Sequence, residues 1–232
     1  MFNGTLEDAI SSDTSDHFKD FLLALLKRPK QTGKPDDKAA AADAKELREE
    51  LIKGGKSSHE HTIKLFSSRS HEQLRLIFDV YKTQFKIEIE EDIKSSLSGD
   101  MENAYLAVVD ASRNEQKYFA KRFQHSLDGA GTDDKTLIRL VVSRCEIDLE
   151  TIKDEFESLT GKTLVAAVSS DTSGDYQKAL ISLIEGNNDG EHDKKPVAAG
   201  STKKPDAKAK KGKVLKKLFV NFFCFRWGLF KF

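Results

Sequence analysis

Thr172-Ser173-Gly174-Asp175 follows a similar stretch, Leu97-Ser98-Gly99-Asp100, at a distance of 75 residues. The same distance separates Ser68-Arg69-Ser70 from Ser143-Arg144-Cys145. A third version of the first motif, Asp13-Thr14-Ser15-Asp16, lies near the N-terminus with its glycine replaced. Separate motifs that recur at one fixed offset indicate an internal repeat. The sequence therefore predicts two whole repeats, preceded by the end of another.

Hydrophobic spacing within each repeat is typical of short amphipathic helices. In the second whole repeat, Leu149, Ile152 and Phe156 recur every three or four residues. A further helix over about 115–127 joins the two repeats, and its counterpart covers about 39–52. The pattern predicts an all-α fold with five short helices in each repeat. Phenylalanines at helical spacing are predicted to lie in the core: Phe78, Phe119, Phe123 and Phe156.

Charge divides the chain into an acidic body and a basic tail. The 232 residues carry 38 basic and 38 acidic side chains, but residues 187–232 hold 12 of the basic and only 4 of the acidic ones. The tail ends in aromatic residues, a composition that suits the headgroup region of an anionic membrane. The same composition would attract nucleic acid, although without specificity. An extension without a function is the alternative interpretation.

The sequence does not indicate a secreted protein, a membrane-spanning protein, a disulfide-rich protein or an enzyme. No segment has the pattern of a secretory signal or of a bilayer-spanning helix. Cys145 and Cys224 lie in regions of opposite character, so we predict a cytoplasmic protein without a disulfide framework. No pairing of a nucleophile with a base and no cofactor motif is recognised, so an enzyme is not predicted. We expect His59 and His61 to be solvated rather than zinc ligands, and Cys145 to be a buried thiol.

One loop carries the candidate chemistry. Between the joining helix and the second whole repeat lies Leu127-Asp128-Gly129-Ala130-Gly131-Thr132-Asp133-Asp134. Two glycines around a small residue allow a tight turn that aims consecutive carbonyls inward. Calcium takes about six to eight oxygen ligands, a role that suits backbone carbonyls and a carboxylate. Taken alone, the loop also fits an ordinary turn with a Thr or Asp helix cap. A phosphate-binding loop is disfavoured because no Gly-Lys-Ser/Thr element follows.

These residues resemble the annexin family. Residues 114–186 look like a fourth annexin repeat, residues of about 43–110 are similar to a third, and residues 5–27 are similar to the end of a second. The resemblance implies five-helix repeats packed into a slightly curved disc, with calcium loops on the convex face. The residues that carry it are Gly129-Ala-Gly-Thr-Asp133, Ser143-Arg144, Gly161-Lys162 and Asp171-Thr-Ser-Gly-Asp-Tyr176.

The resemblance also implies a set of calcium ligands. In that family an acid forty residues after the second loop glycine completes the site, and counting from Gly131 gives Asp171. Read alone, Asp171 also fits a cap of the next helix. The implied ligands are the carbonyls of Leu127, Gly129 and Gly131 with both carboxylate oxygens of Asp171, and a second, weaker ion would use Thr132 and Asp134.

The third repeat departs from this pattern. Lys56 replaces the second loop glycine, Ser58 replaces an acid, and Ser96 stands where the carboxylate belongs. We therefore expect no tight calcium binding in this repeat. Asp13 fits the ligand position of the partial second repeat, but its partner loop would precede Met1.

The predicted function is calcium-dependent binding to acidic phospholipid membranes through the fourth-repeat loop, as a peripheral membrane protein. Two alternatives are a scaffold protein with little calcium binding and calcium-independent membrane attachment through the tail. Apolar faces that further repeats would cover favour self-association. The predicted organisation is 1–27 for the end of the second repeat, 28–42 for a linker, 43–113 for the third repeat, 114–186 for the fourth, and 187–232 for the tail.

Overall fold

The computed structural model describes residues 5–27, 33–53, 59–129 and 131–186. Within these ranges the chain forms twelve α-helices and no strands, which confirms the predicted all-α fold. The helices are α1 Leu6–Asp13, α2 Asp16–Lys27, α3 Asp37–Lys53, α4 Glu60–Ser68, α5 His71–Phe85, α6 Ile89–Ser96, α7 Gly99–Arg113, α8 Glu115–Leu127, α9 Asp134–Arg144, α10 Leu149–Thr160, α11 Leu164–Asp171 and α12 Gly174–Glu185. The predicted tail and residues 54–58 of the third-repeat loop lie outside the described residues.

Five helices form each of the two repeats, as the sequence predicts. Helices α3–α7 belong to the first whole repeat and α8–α12 to the second, while α1 and α2 are the counterparts of the last two helices in each. The joining helix α8 has the predicted bounds, Glu115–Leu127. Among the described residues, no helix is both long enough and apolar enough to cross a membrane.

Local side-chain chemistry sets several helix ends. The Ser70 hydroxyl accepts a hydrogen bond from the Gln73 amide, and the Thr163 hydroxyl accepts one from Ala166, so each caps the start of its helix. Helix α10 ends at Gly161, whose φ of 70° is the left-handed conformation that glycine adopts without strain. These caps explain why the short helices begin and end where they do.

The first helix of the third repeat begins earlier than predicted. Helix α3 starts at Asp37, inside the predicted linker 28–42. The Asp36 carboxylate accepts hydrogen bonds from the amides of Lys38 and Ala39, at 2.9 and 3.2 Å. A cap directly after Pro35 therefore initiates the helix about two residues before its predicted start near 39, within the range 28–42 predicted as linker.

The recurring Ser-Arg motif has a structural role in each repeat. Arg144 is only 2% exposed, lies 4.1 Å from the Phe119 ring, and donates to the Asp148 carboxylate at 2.7 Å. In the other repeat, Arg69 donates to both carboxylate oxygens of Asp43, at 2.9 and 3.1 Å. Arg144 is thus buried with a carboxylate partner, which is the condition under which a buried charge is tolerated, whereas Arg69 forms its ion pair in a half-buried position.

The chain divides into two compact units, Met1–Tyr118 and Phe119–Phe232. In the first unit α2 packs against α4, and α3 packs against α4, α5 and α6. In the second unit α12 packs against α9 and α11. The phenylalanines predicted for the core are confirmed, with exposed fractions of 2% or less for Phe78, Phe119, Phe123 and Phe156.

Candidate metal-binding site

The loop between α8 and α9 turns on two glycines. Gly129 has a φ of 107° and Gly131 a φ of 105°, which side chains with a Cβ rarely adopt. Among the described atoms, nothing lies within 4 Å of a Cβ built at either position, so the backbone conformation rather than space requires glycine. The Asp133 amide donates to the Ser126 carbonyl at 2.8 Å and closes the turn.

Asp133 serves the start of α9. It is the N-cap residue, but its carboxylate accepts a hydrogen bond from the Thr136 hydroxyl at 3.0 Å instead of from a backbone amide. The Asp133 carboxylate is therefore directed towards the start of α9. A cation at this turn would use loop carbonyls together with a carboxylate other than that of Asp133.

Asp171 is exposed and is the last residue of α11. Its counterparts occupy the same place in the other repeats, since Ser96 ends α6 and Asp13 ends α1. The Gln177 side-chain amide donates to the carbonyls of Ser169 and Thr172, at 2.7 and 2.6 Å. These bonds from α12 fix the end of α11 and hence the position of Asp171.

The fold brings Asp171 to the glycine loop. The Thr132 hydroxyl donates to the Asp171 carbonyl at 3.2 Å, across 39 residues of sequence. Of the other predicted ligands, Leu127 is half-buried at the end of α8, and Gly129 and Gly131 are exposed. The predicted loop and the predicted carboxylate residue are thus neighbours within the second unit.

Backbone electrostatics at this place suit a cation. Helix α8 ends at Leu127 and α11 ends at Asp171, so two C-terminal ends with partial negative charge lie beside the loop. The N-terminal end of α9 opposes them, as the sequence predicts. With oxygen donors only, and with Asp171 supplying a formal charge, the residues present fit calcium rather than a softer metal.

The predicted second ion has a competing neighbour at Asp134. Burial and the Asp134 carboxylate beside it raise the pKa of the Tyr176 hydroxyl to about 12. Asp134 is in the first turn of α9 and Tyr176 is in the first turn of α12. The carboxylate thus has a neighbour in the protein, and the weaker site at Thr132 and Asp134 stays a prediction.

Among the described residues, side-chain clusters offer no rival metal site. In the part of the chain that the structure describes, no three His, Cys, Asp or Glu side chains group as metal ligands. A cation site in these ranges would accordingly take most of its ligands from the backbone, as the glycine loop would allow.

Sequence reasoning missed the contacts of Glu50 in the third repeat. Its carboxylate accepts hydrogen bonds from the amides of His61 and Thr62, at 3.0 and 2.8 Å, and from the Thr62 hydroxyl at 2.6 Å. Burial alone would raise the pKa of Glu50, but these bonds outweigh it and the net shift is downward. A carboxylate near the end of α3 thus holds the start of α4, which is the counterpart of α9.

Two expectations about exposure are wrong. His59 is only 2% exposed, with its ring centroid 5.3 Å from that of His17 and 6.1 Å from that of Tyr105. Burial, and then His17, lower the pKa of His59, while Glu50 opposes the shift. Cys145 is half-buried rather than buried. The spacing of His59 and His61 could not reveal this, because His59 has a left-handed backbone with a φ of 52° just before α4.

The fold and the recurring helix order define the class of this chain as an all-α repeat protein with five helices in each repeat. The sequence profile of the annexin family matches residues 42–108 and 118–183. Chicken annexin A5 is 42% identical over 190 residues, which cover 81% of this chain and 59% of that protein. The chain belongs to the annexin family.

Solved structures agree with this assignment. Annexin III superposes with a TM-score of 0.75 at 38% identity, covering 80% of this chain and 58% of that one. The calcium-bound structure of annexin (Sm)1 superposes with a TM-score of 0.70 at 27% identity, covering 80% and 55%. The chain spans about three fifths of the length of the curated relatives it matches.

Proposed function

We propose that this protein binds acidic phospholipid surfaces in a calcium-dependent manner through the loop between α8 and α9. The observation that carries the proposal is the hydrogen bond from the Thr132 hydroxyl to the Asp171 carbonyl, which places the glycine loop beside the exposed end of α11. The similarity to calcium-bound annexin (Sm)1 supports calcium as the ion.

Each proposed ligand has a distinct task. The positive φ of Gly129 and Gly131 would let the backbone turn so that their carbonyls face a shared ion, and Leu127 would contribute the carbonyl at the end of α8. Asp171 supplies the carboxylate, and Gln177 keeps the end of α11 in place. Calcium bound there would supply positive charge with coordination positions left for water or lipid phosphoryl oxygens.

The proposed ion would reduce the charge repulsion between the protein and an acidic membrane. Residues 1–186 hold 26 basic and 34 acidic side chains, so the body of the protein and an acidic membrane carry charge of the same sign. A divalent cation shared between loop oxygens and lipid phosphates would offset that repulsion. The association would be peripheral and reversible by a chelator, and we propose a cytoplasmic location for the free protein.

A scaffold protein with little calcium binding is the second candidate. Ser96 ends α6 at the place where Asp171 ends α11, so the third repeat has no carboxylate there. Glu50 already holds the start of α4 through three hydrogen bonds. A repeat whose helix start is fastened in this way can keep its fold without an ion.

The test compares Asp171→Asn with wild type in co-sedimentation with phosphatidylserine vesicles, with calcium and with chelator. We expect wild type to sediment only with calcium, and Asp171→Asn to need at least about tenfold more calcium because a charged ligand is lost. Asp13→Asn is the matched control, since Asp13 also ends a helix of the same position in its repeat. It should behave as wild type.

Two outcomes would reject the proposed site. Equal sedimentation in chelator would assign membrane binding to another part of the chain, such as the basic tail. Absence of sedimentation at any calcium level would favour the scaffold. A further control uses phosphatidylcholine vesicles, which lack net negative charge and should not sediment the protein.

A further inference from the structure

Helix α9 has apolar side chains on two sides. Leu137, Leu140 and Val141 are buried within the second unit. On the opposite side, Ile138 is 42% exposed and Val142, one turn later, is 59% exposed. A helix that is apolar on both sides is typical of one that is covered on both.

The other repeat shows what covers the counterpart of this face. Helix α4 is the counterpart of α9 and packs against α2 as well as α3. Ser67 of α4 corresponds to Val142 at the repeat offset and is 3% exposed. At this position the face is therefore covered in the first unit and exposed in the second, while Ile63, which corresponds to Ile138, is half-buried.

Helix α2, which packs on α4, has its own counterparts in the whole repeats. Asp16, Gly99 and Gly174 begin α2, α7 and α12, and all three have φ between 52° and 67°. Helix α2 also packs against α7, with the Phe21 and Tyr105 ring centroids 5.1 Å apart. In the first unit, α2 is the last helix of the partial repeat. It packs against α7, the last helix of the next repeat, and against α4 of that repeat.

A two-fold axis can reproduce this arrangement because it pairs equivalent helices with each other. We propose that the second unit binds a second copy of this chain, with α12 of each copy packed on α9 and α12 of the other. Leu183 of α12 is 40% exposed and supplies the apolar side chain opposite Ile138 and Val142.

Exposed charges on the two helices favour the same pairing. The exposed charged residues of α9 are Asp134, Lys135 and Arg139, with a net charge of +1, and those of α12 are Asp175, Lys178 and Glu185, with a net charge of −1. Lys178 and Asp175 already pair with each other at 3.1 Å. Contact between α9 of one copy and α12 of the other therefore brings basic residues towards acidic ones, which favours this partner over two α9 helices packed together.

Sedimentation velocity of the full chain tests the proposal in chelator and without lipid, so the result does not depend on calcium or membrane binding. At about 50 μM, where contacts of micromolar affinity are occupied, wild type should sediment as a dimer. Val142→Lys and Leu183→Glu should each raise the dissociation constant at least about tenfold, because each places a charge in both copies of the contact. Helix content by circular dichroism should stay as in wild type, since both side chains are exposed.

An equimolar mixture of Val142→Lys and Leu183→Glu gives the sharpest readout. In a mixed dimer one contact is unchanged and the other pairs the introduced lysine of one copy with the introduced glutamate of its partner, so dimers should return. Ile52→Lys is the matched control, since Ile52 is 65% exposed but lies in the first unit, and it should leave the dimer intact. A monomeric wild type, a dimer insensitive to both variants, no recovery on mixing, or dissociation by Ile52→Lys would each overturn the proposal.

Discussion

Gly131 has a φ of 105°, and alanine at this position would strain the loop. Gly131→Ala should lower the free energy of unfolding by about 1–2 kcal/mol. It should also raise the calcium concentration needed for vesicle binding, because the changed backbone would displace the carbonyls proposed as ligands. Chemical denaturation and vesicle co-sedimentation measure the two effects.

Gly161→Ala is the control variant, since it strains the backbone at a position outside the proposed calcium site. Gly161 has a φ of 70° at the end of α10, away from the glycine loop. Its replacement should destabilise the protein to a similar degree and leave the calcium requirement unchanged. If both variants shift the calcium requirement equally, the loop has no special role in binding.

Glu50 offers a second prediction for a single residue. Because its pKa is lowered from the ordinary value of 4.5, its stabilising contribution is present above pH 4.5 and is lost as the pH falls through the lowered value. Glu50→Gln should cost about 1–2 kcal/mol at pH 7, since one of the oxygens that accept hydrogen bonds becomes a donor. Urea unfolding should show the difference between variant and wild type shrinking well below pH 4.5.

At the scale of single residues, the sequence predicted some residues of the proposed site but not the contacts of Glu50 and His59. The glycine loop and Asp171 could be proposed together because the resemblance to the annexin family implies an acid forty residues after the second loop glycine, although the third repeat has Lys56 and Ser96 at these positions. Glu50 and His59 could not be assigned in this way. The bonds of Glu50 reach 11 and 12 residues along the chain, and the left-handed backbone of His59 has no signal in hydrophobic spacing.

At the scale of elements, α2 and α4 meet at a pair of histidines. His59 is buried beside His17, and its pKa is lowered from the ordinary value of 6.5. The folded state resists protonation there, so its stability is full above pH 6.5 and declines as the pH falls below that value. Urea unfolding should therefore show lower stability at pH 5.5 than at pH 7.5.

A substitution isolates this histidine from the others. His59→Asn should reduce the loss of stability between pH 7.5 and 5.5, and asparagine tolerates the left-handed backbone of position 59. His125→Asn removes an exposed histidine from α8 and serves as the control. If the pH dependence of stability is unchanged in His59→Asn, groups other than His59 cause it.

Helix bounds were predictable where caps agree with periodicity. Helix α8 has the predicted bounds because apolar spacing ends at the glycine loop. Helix α3 begins earlier than predicted because the Asp36 cap is recognisable only once its bonds to Lys38 and Ala39 are known. The Ser173 position is an N-cap as predicted, but its side chain makes no capping hydrogen bond.

For the whole molecule, the proposed site predicts an uneven response to calcium. The loop and Asp171 both lie in the second compact unit. Ligand that binds only the folded state stabilises it. Hydrogen exchange should therefore slow around residues 126–136 and 164–177 when calcium is added, and much less in α3–α7. Equal protection in both units, or protection that persists in Asp171→Asn, would contradict a single site in this unit.

The hydrogen bonds of Glu50 also bear on how such repeats diverge. A helix start that the chain fastens with its own carboxylate carries no folding penalty when the neighbouring ion-binding residues are lost. Residues such as Lys56 and Ser96, which depart from the ligand pattern implied by the annexin resemblance, would then have little effect on folding. One repeat could then keep its fold without an ion while the site proposed in the other repeat holds calcium, so that one copy would contribute architecture and the other would sense calcium.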